Sequence, residues 1–220
     1  MNNHSKQKGF TIIELMIATV IFTLVLMICL SGIMQITKMY YRAVTQNKTR
    51  EVARSIIDEI GESIRFSKES IQPGTAIVGP QVDLSNNAIG FFCIGAKRYS
   101  FALDRQMKSA PENNKKQIRH SLWVDKPGDC SVPADLTTET PSADGVDLVS
   151  ENMRLYKLAI IQRDSVNNVY EIGVGVAYGD DDLLSPRPED NPVEYTCEGA
   201  FIASEFCATI NLNETVQKRL

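Results

Sequence analysis

Glu14 makes the sharpest chemical demand in this sequence. It sits one helical turn inside an apolar stretch, and the twenty-two residues from Leu15 to Ile36 carry no formal charge. An ionised carboxylate in lipid costs a few kcal/mol unless a cation meets it, so Glu14 needs a partner. Four cysteines, Cys93, Cys130, Cys197 and Cys207, lie beyond the apolar run and form an even set for cross-linking, while Cys29 falls inside it. Lys97, Arg98, Arg105, Lys108, Lys115, Lys116, Arg119 and His120, with Tyr99, Phe101 and Trp123 among them, have the parts for phosphate contact and base stacking. Gly179-Asp180-Asp181-Asp182 and Glu189-Asp190 gather oxygen ligands of the kind calcium takes. The spacing lacks the order of an EF-hand loop, so a solvated acidic loop is expected and no metal or other cofactor is implied.

Catalytic parts are scarce. The histidines are His4, in a basic leader, and His120, which leaves one for a triad or a zinc site. The chain has no G-x-S-x-G, H-E-x-x-H or P-loop, and Gly173, Gly175 and Gly179 fall in or just after an expected strand. The sequence predicts a protein that is not an enzyme.

The elements that would carry these residues follow from composition and period. With 220 residues, 43% apolar and 23% charged, the chain is long enough for a domain with an appendage and is neither disordered nor collagen-like. Residues 1–70 hold nine Lys and Arg against six Asp and Glu, and residues 71–220 hold fourteen against twenty-one. An acidic bulk argues against general affinity for nucleic acid. As a helix, the uncharged run is about 33 Å long, enough to cross the hydrocarbon layer. Lys6 and Lys8 precede it, so the amino end is expected to stay cytoplasmic and everything after Lys38 to be exported. No small-residue cleavage site follows the run, so it is expected to remain as an anchor.

The segment Lys8-Gly9-Phe10-Thr11-Ile12-Ile13-Glu14-Leu15-Met16-Ile17-Ala18 closely resembles the amino terminus of type IV prepilins and type II secretion pseudopilins. The resemblance implies that a membrane prepilin peptidase and N-methyltransferase cuts after Gly9 and methylates Phe10. It also implies that Glu14 pairs with the amino terminus of a neighbouring subunit. The partners implied are that peptidase, other major and minor pilins, the assembly platform of the inner membrane, and lipid before assembly. The pairing makes physical sense, because a new amine and a buried acid cancel two desolvation penalties and set axial register. Major pilins of this family usually place a proline midway along the apolar segment, where this chain reads Leu30-Ser31-Gly32. That departure favours a minor pilin or a pseudopilin. The pattern Arg54-Ser55-Ile56-Ile57-Asp58-Glu59-Ile60, followed by Ser63-Ile64-Arg65, resembles the W and J types of minor pilin and pseudopilin.

Helical period persists beyond the apolar run. Val52, Ile56, Ile60 and Ile64 recur every four residues, Ala53 and Ile57 widen the stripe, and no proline occurs before Pro73. One helix from about Thr11 to about Ser70 is expected, ended by Gln72-Pro73-Gly74. Its stripe is the face a head would pack against; a coiled-coil dimer is the competing use, and the near-four spacing disfavours it. Hairpins are expected over Ile89–Ile94 with Lys97–Leu103, and over Leu155–Arg163 with Val169–Tyr178 around Asn167-Asn168. A further strand is expected over Ile118–Val124, and an edge strand over Phe201–Leu212. Pro127 to Asn152 reads as irregular loop. The fold class is α+β, a long amino-terminal helix packed on an antiparallel head, the lollipop shape that the resemblance also implies. The expected divisions are a leader 1–9, an assembly helix 10–37, an amphipathic helix 38–72 and a head 73–220.

Export permits two disulfides, with three connectivities. Pairing neighbours in sequence, Cys93 with Cys130 and Cys197 with Cys207, is favoured, and the second bridge would staple the terminal loop as family members often do. Free buried thiols are the alternative in a reducing compartment. Some superfamily members bind calcium in head loops. The basic stretch is a candidate face for DNA or an anionic surface glycan, against a charged outer strand and loop as the plainer reading. The sequence thus points to a single-pass protein of the cytoplasmic membrane that enters a pilus or pseudopilus. Motility, adhesion, DNA capture and secretion all stay open for the head.

Overall fold

The computed structural model describes residues 9–69, 71–73, 82–83, 89–102, 122–127, 130, 145–150, 152–179, 183–186, 195–197 and 206–219. The chain divides into two compact units, Met1–Tyr41 and Arg42–Leu220. A helix, α1, spans Ile12–Phe66 and supplies the first unit and the start of the second.

In the first unit the apolar side chains of α1 point outward, as a lipid-facing helix requires; Met27 and Ile28 are about 70% exposed, at 71% and 72%. Among the described residues α1 is the one helix long and apolar enough to cross a membrane. Three of its threonine hydroxyls are satisfied within the helix. Thr19 donates to the Met16 carbonyl at 2.9 Å, Thr23 to Val20 at 2.8 Å and Thr37 to Ile33 at 2.9 Å. Hydrocarbon offers no water, so this back-bonding is what lets threonine sit in the run.

In the second unit α1 buries Thr49, Ala53, Ile56, Ile57, Ile60, Gly61, Ser63 and Ile64. The predicted stripe is therefore the core face, with Val52 at its half-buried margin. Eleven strands are described: β1 (Gln72–Pro73), β2 (Val82–Asp83), β3 (Ile89–Ile94), β4 (Lys97–Ala102), β5 (Leu122–Asp125), β6 (Val146–Asp147), β7 (Met153–Asp164), β8 (Val169–Tyr178), β9 (Leu184–Pro186), β10 (Tyr195–Cys197) and β11 (Ala208–Gln217). They form a sheet ordered β1-β3-β4-β5-β6, a sheet ordered β11-β8-β7-β2, and a ribbon of β9 and β10. Every pairing among the described residues is antiparallel.

One core joins α1 to both larger sheets: Phe92, Ile94, Tyr99, Phe101 and Leu122 from the first, and Leu155, Leu158, Ile160, Ile172, Val174, Val176 and Val216 from the second. Strict alternation would not put both Leu155 and Leu158 on one face. A register shift between Leu155 and Lys157 restores the phase, and the bulge turns Tyr156 to the other face. There Tyr156 meets Ala177, Leu184, Tyr195 and Cys207 in a second, smaller core beneath the β9–β10 ribbon.

Several boundaries differ from the sequence expectation. Helix α1 stops at Phe66, where Ser67 turns the chain by exchanging hydrogen bonds with Glu69. The carboxyl-terminal segment then caps it, with Arg219 N donating to the Arg65 carbonyl at 3.1 Å. Gln72 and Pro73 do not end the helix but form β1, an edge strand, the position in a sheet where proline is tolerated. The third strand runs Leu122–Asp125, with residues 118–121 outside the described set. Within the expected loop 127–152 the short strand β6 pairs with β5. The last strand runs Ala208–Gln217, later than expected, and it is an edge strand.

Candidate functional site: the processing junction and the helix cap

Gly9 and Phe10 lead into α1 fully open. A Cβ placed on Gly9 would meet no atom within 4 Å, and Phe10 is 85% exposed. Nothing in this chain's own packing therefore demands glycine at position 9. Three residues on, the helix start is closed by a reciprocal pair. Thr11 is the N-cap: its carbonyl accepts the Leu15 amide at 3.2 Å, and its hydroxyl accepts the Glu14 amide at 3.3 Å. Glu14 reaches back, and its Oε2 accepts the Thr11 amide at 2.9 Å and the Thr11 hydroxyl at 2.8 Å. Thr-x-x-Glu is the capping-box spacing, and it satisfies two otherwise orphaned amides. The spacing is plain in Thr11-Ile12-Ile13-Glu14, and it is the signal by which the sequence alone gives this cap. A carboxylate in the first turn also meets the positive end of the helix dipole.

Two residues of the expected basic face, Lys97 and Arg98, are described, and each meets an acid of the head. Cys93, Arg98 and Asp125 stand opposite one another across β3, β4 and β5. Arg98 Nε donates to Asp125 Oδ1 at 2.9 Å, and both residues are buried, at 8% and 3% exposure. Lys97 Nζ donates to Glu59 Oε1 at 2.6 Å. Of the proposed anionic-ligand residues, Lys97 and Arg98 thus serve acids of the head itself, and Arg105, Lys108, Lys115, Lys116 and Arg119 lie outside the described residues, as does His120. Glu59 also accepts from the Tyr99 hydroxyl at 3.3 Å, and that hydroxyl shares a 2.7 Å hydrogen bond with Ser63. Burial pushes the Tyr99 phenol well above its ordinary range, the Ser63 bond opposes, and Glu59 and Glu62 add to the rise. Tyr99 stays neutral and works as a polar clasp between α1 and β4.

Cys93 bonds to Cys130 and Cys197 to Cys207, with Cα separations of 6.0 and 5.8 Å. Among the described residues no three of His, Cys, Asp or Glu gather to hold a metal ion. Asp180, Asp181, Asp182, Glu189 and Asp190 lie outside the described residues.

A long apolar amino-terminal helix with antiparallel sheets, in a mixed α+β chain, is the architecture of a pilin-like protein. Residues 4–30 match the model of the prokaryotic N-terminal methylation motif, which supports a place for the chain in the prepilin and pseudopilin superfamily, a structural family and not one of enzymes. The motif implies processing by prepilin peptidase and assembly with other pilins, and with the apolar helix it fits membrane anchoring and a cell-surface pilus. No curated protein and no solved structure shows a significant match to this chain.

Proposed function

We propose that the chain is a minor subunit of a type IV pilus or related filament, cut after Gly9, methylated on Phe10 and assembled through α1. The observation that carries this reading is the methylation motif together with an acid, Glu14, held at the head of an apolar helix whose amino-terminal junction is open. The leader stays in the cytoplasm, the apolar half of α1 waits in lipid, and the head is displayed outside. On assembly the helix exchanges lipid for like helices, and the amine of a neighbouring subunit neutralises Glu14. Leu30-Ser31-Gly32 in place of a mid-helix proline supports the minor role. It fits a type II secretion pseudopilin equally well.

Mass spectrometry of the amino terminus from the native host tests the processing: a chain beginning with N-methylated Phe10 is expected, and an uncut chain sinks the reading. Copy number in sheared filaments separates a minor from a major subunit.

A further inference from the structure

Among the described residues the two larger sheets end on four strands, and three of these edges are blunt. β2 and β6 are two residues long, and β1 is two residues that include Pro73. Short edges and proline discourage a further strand from joining. β11 has neither safeguard. It pairs with β8 residue for residue over Ala208–Gln217 without a register shift, and it contains no lysine and no proline. Its one charge, Glu214, is met by Arg65 at 3.2 Å. Among the described residues no strand lies on its outer edge, and the Tyr156 hydroxyl reaches the Ile210 carbonyl from across β8.

Ile210, Leu212 and Val216 pack toward the core, so Thr209, Asn211, Asn213 and Thr215 share the opposite face of the strand. About Leu212 that face is a palindrome, Asn then Thr in either direction. We propose that β11 is a self-docking strand: a second copy of this chain adds its own β11 antiparallel, on a two-fold axis at Leu212. Thr209 then faces Thr215 of the second copy, Asn211 faces Asn213 of the second copy, and the two Leu212 side chains meet. Opposed hydroxyls and opposed amides each supply a donor and an acceptor. The face carries no charge, so two copies meet without repulsion, and the edge amides and carbonyls gain ladder partners. A slip of one residue would turn the polar face of one copy against the core face of the other. The inference is independent of the assembly role above. The head half of α1 packs on the same sheet, with Gly61 against Val216, so the two-fold reverses it too. The pair therefore suits heads on separate filaments rather than neighbours in one.

The test uses the full chain in mild detergent, with Cys29→Ser to remove the free thiol. Residues opposed across an antiparallel pair have Cβ atoms about 4.5–5.5 Å apart, close enough for a disulfide after a small shift. Thr209→Cys and Thr215→Cys should each stay monomeric under mild oxidation and should link when mixed, and Leu212→Cys should link to itself. A mixture that does not link, or Thr209→Cys linking alone as fast as the mixture, overturns the inference. Sedimentation measures the dimer without a cross-link. Asn211→Lys with Asn213→Lys sets lysines opposite one another and should weaken it roughly tenfold, while the thermal midpoint of the head holds. Mixing that variant with Asn211→Asp plus Asn213→Asp should restore pairing as a mixed dimer. A dimer that the lysines leave unchanged, or a wild-type chain that is monomeric throughout, overturns the inference. Should the lysines lower the thermal midpoint, the threonine variants on the same face decide.

Discussion

The ring of Tyr156 lies flat across Gly175 on the neighbouring strand: a Cβ placed on that glycine would come within 2.6 Å of Tyr156 Cε2 and 2.8 Å of Lys157 Cβ. The ring crosses β8 so that its hydroxyl reaches the Ile210 carbonyl on β11 at 3.2 Å, and Tyr195 packs edge-on against it with centroids 5.7 Å apart. Glycine weakens a strand interior, and here the aromatic ring covers the gap. Gly175→Ala should destabilise the head by about 1–3 kcal/mol, the usual cost of overpacking. Chemical denaturation of the full chain in detergent measures it. Adding Tyr156→Ala should recover only part of the loss, because Lys157 Cβ remains in the way. An unchanged midpoint for Gly175→Ala would mean that the ring moves aside freely.

Arg98 and Asp125 are buried together, so the prediction turns on removing one partner. Asp125→Ala leaves a cation without its partner carboxylate in a low-dielectric setting and should cost about 3–5 kcal/mol. Replacing both, Arg98→Met with Asp125→Leu, should cost much less, since a well-packed apolar pair often substitutes for a buried ion pair at little loss. A thermal scan in which the double variant is less stable than Asp125→Ala would show that the pair stabilises the head by more than mutual neutralisation.

The pattern that the sequence shows clearly is the one that repeats. The four-residue recurrence from Val52 to Ile64 and the alternation of Tyr170, Ile172, Val174 and Val176 each report one buried face, and the structure buries both against one another. What it hides is local and non-periodic. Strands β6 and β9 are two and three residues long, too short to show a period. The bulge at Tyr156 breaks the alternation that would reveal its partner face. Charge alone says nothing of direction: within the basic stretch, strand register sets Arg98 opposite Asp125. At the amino terminus the motif is legible in the sequence, whereas the capping box is obscured, because an acid in an apolar run calls for a partner from outside the chain.

Asp164 organises the turn between β7 and β8. Its Oδ2 accepts from Asn167 Nδ2 at 2.6 Å, and Oδ1 accepts the amides of Val166 and Asn167 at 2.8 and 3.1 Å. The Asn167 side chain above all, then the two amides, hold this carboxyl below its ordinary value of 3.8. A depressed folded value means that the stabilisation is complete above the unfolded value and fades as pH falls through the folded one. The turn should therefore keep its structure at neutral pH and loosen below about pH 4, seen as faster amide hydrogen exchange at Val166 and Asn167 once corrected for intrinsic rates. Asp164→Ala should remove this acid dependence, and if the dependence persists in the variant, another group is responsible.

The two disulfides predict unequal losses. Cys93–Cys130 closes a separation of 37 residues and Cys197–Cys207 one of 10. If a bridge acts mainly by restricting the unfolded chain, the longer loop is worth about 4 kcal/mol and the shorter about 3 kcal/mol. Packing pulls in the same direction. Cys93 lies on a central strand of the first sheet beside the buried Arg98–Asp125 pair, whereas Cys197 is on the outer ribbon. Cys207 nevertheless lines the second core with Tyr156 and Tyr195, so Cys197→Ser with Cys207→Ser should loosen the ribbon while leaving the core of α1 and the larger sheets folded. Cys93→Ser with Cys130→Ser should lower the midpoint of the whole head. Denaturation of each pair variant followed by Trp123 fluorescence, with hydrogen exchange along β10 as a local readout, separates the two outcomes. Equal midpoints for both pair variants would show that chain entropy and strand position do not set the worth of these bridges.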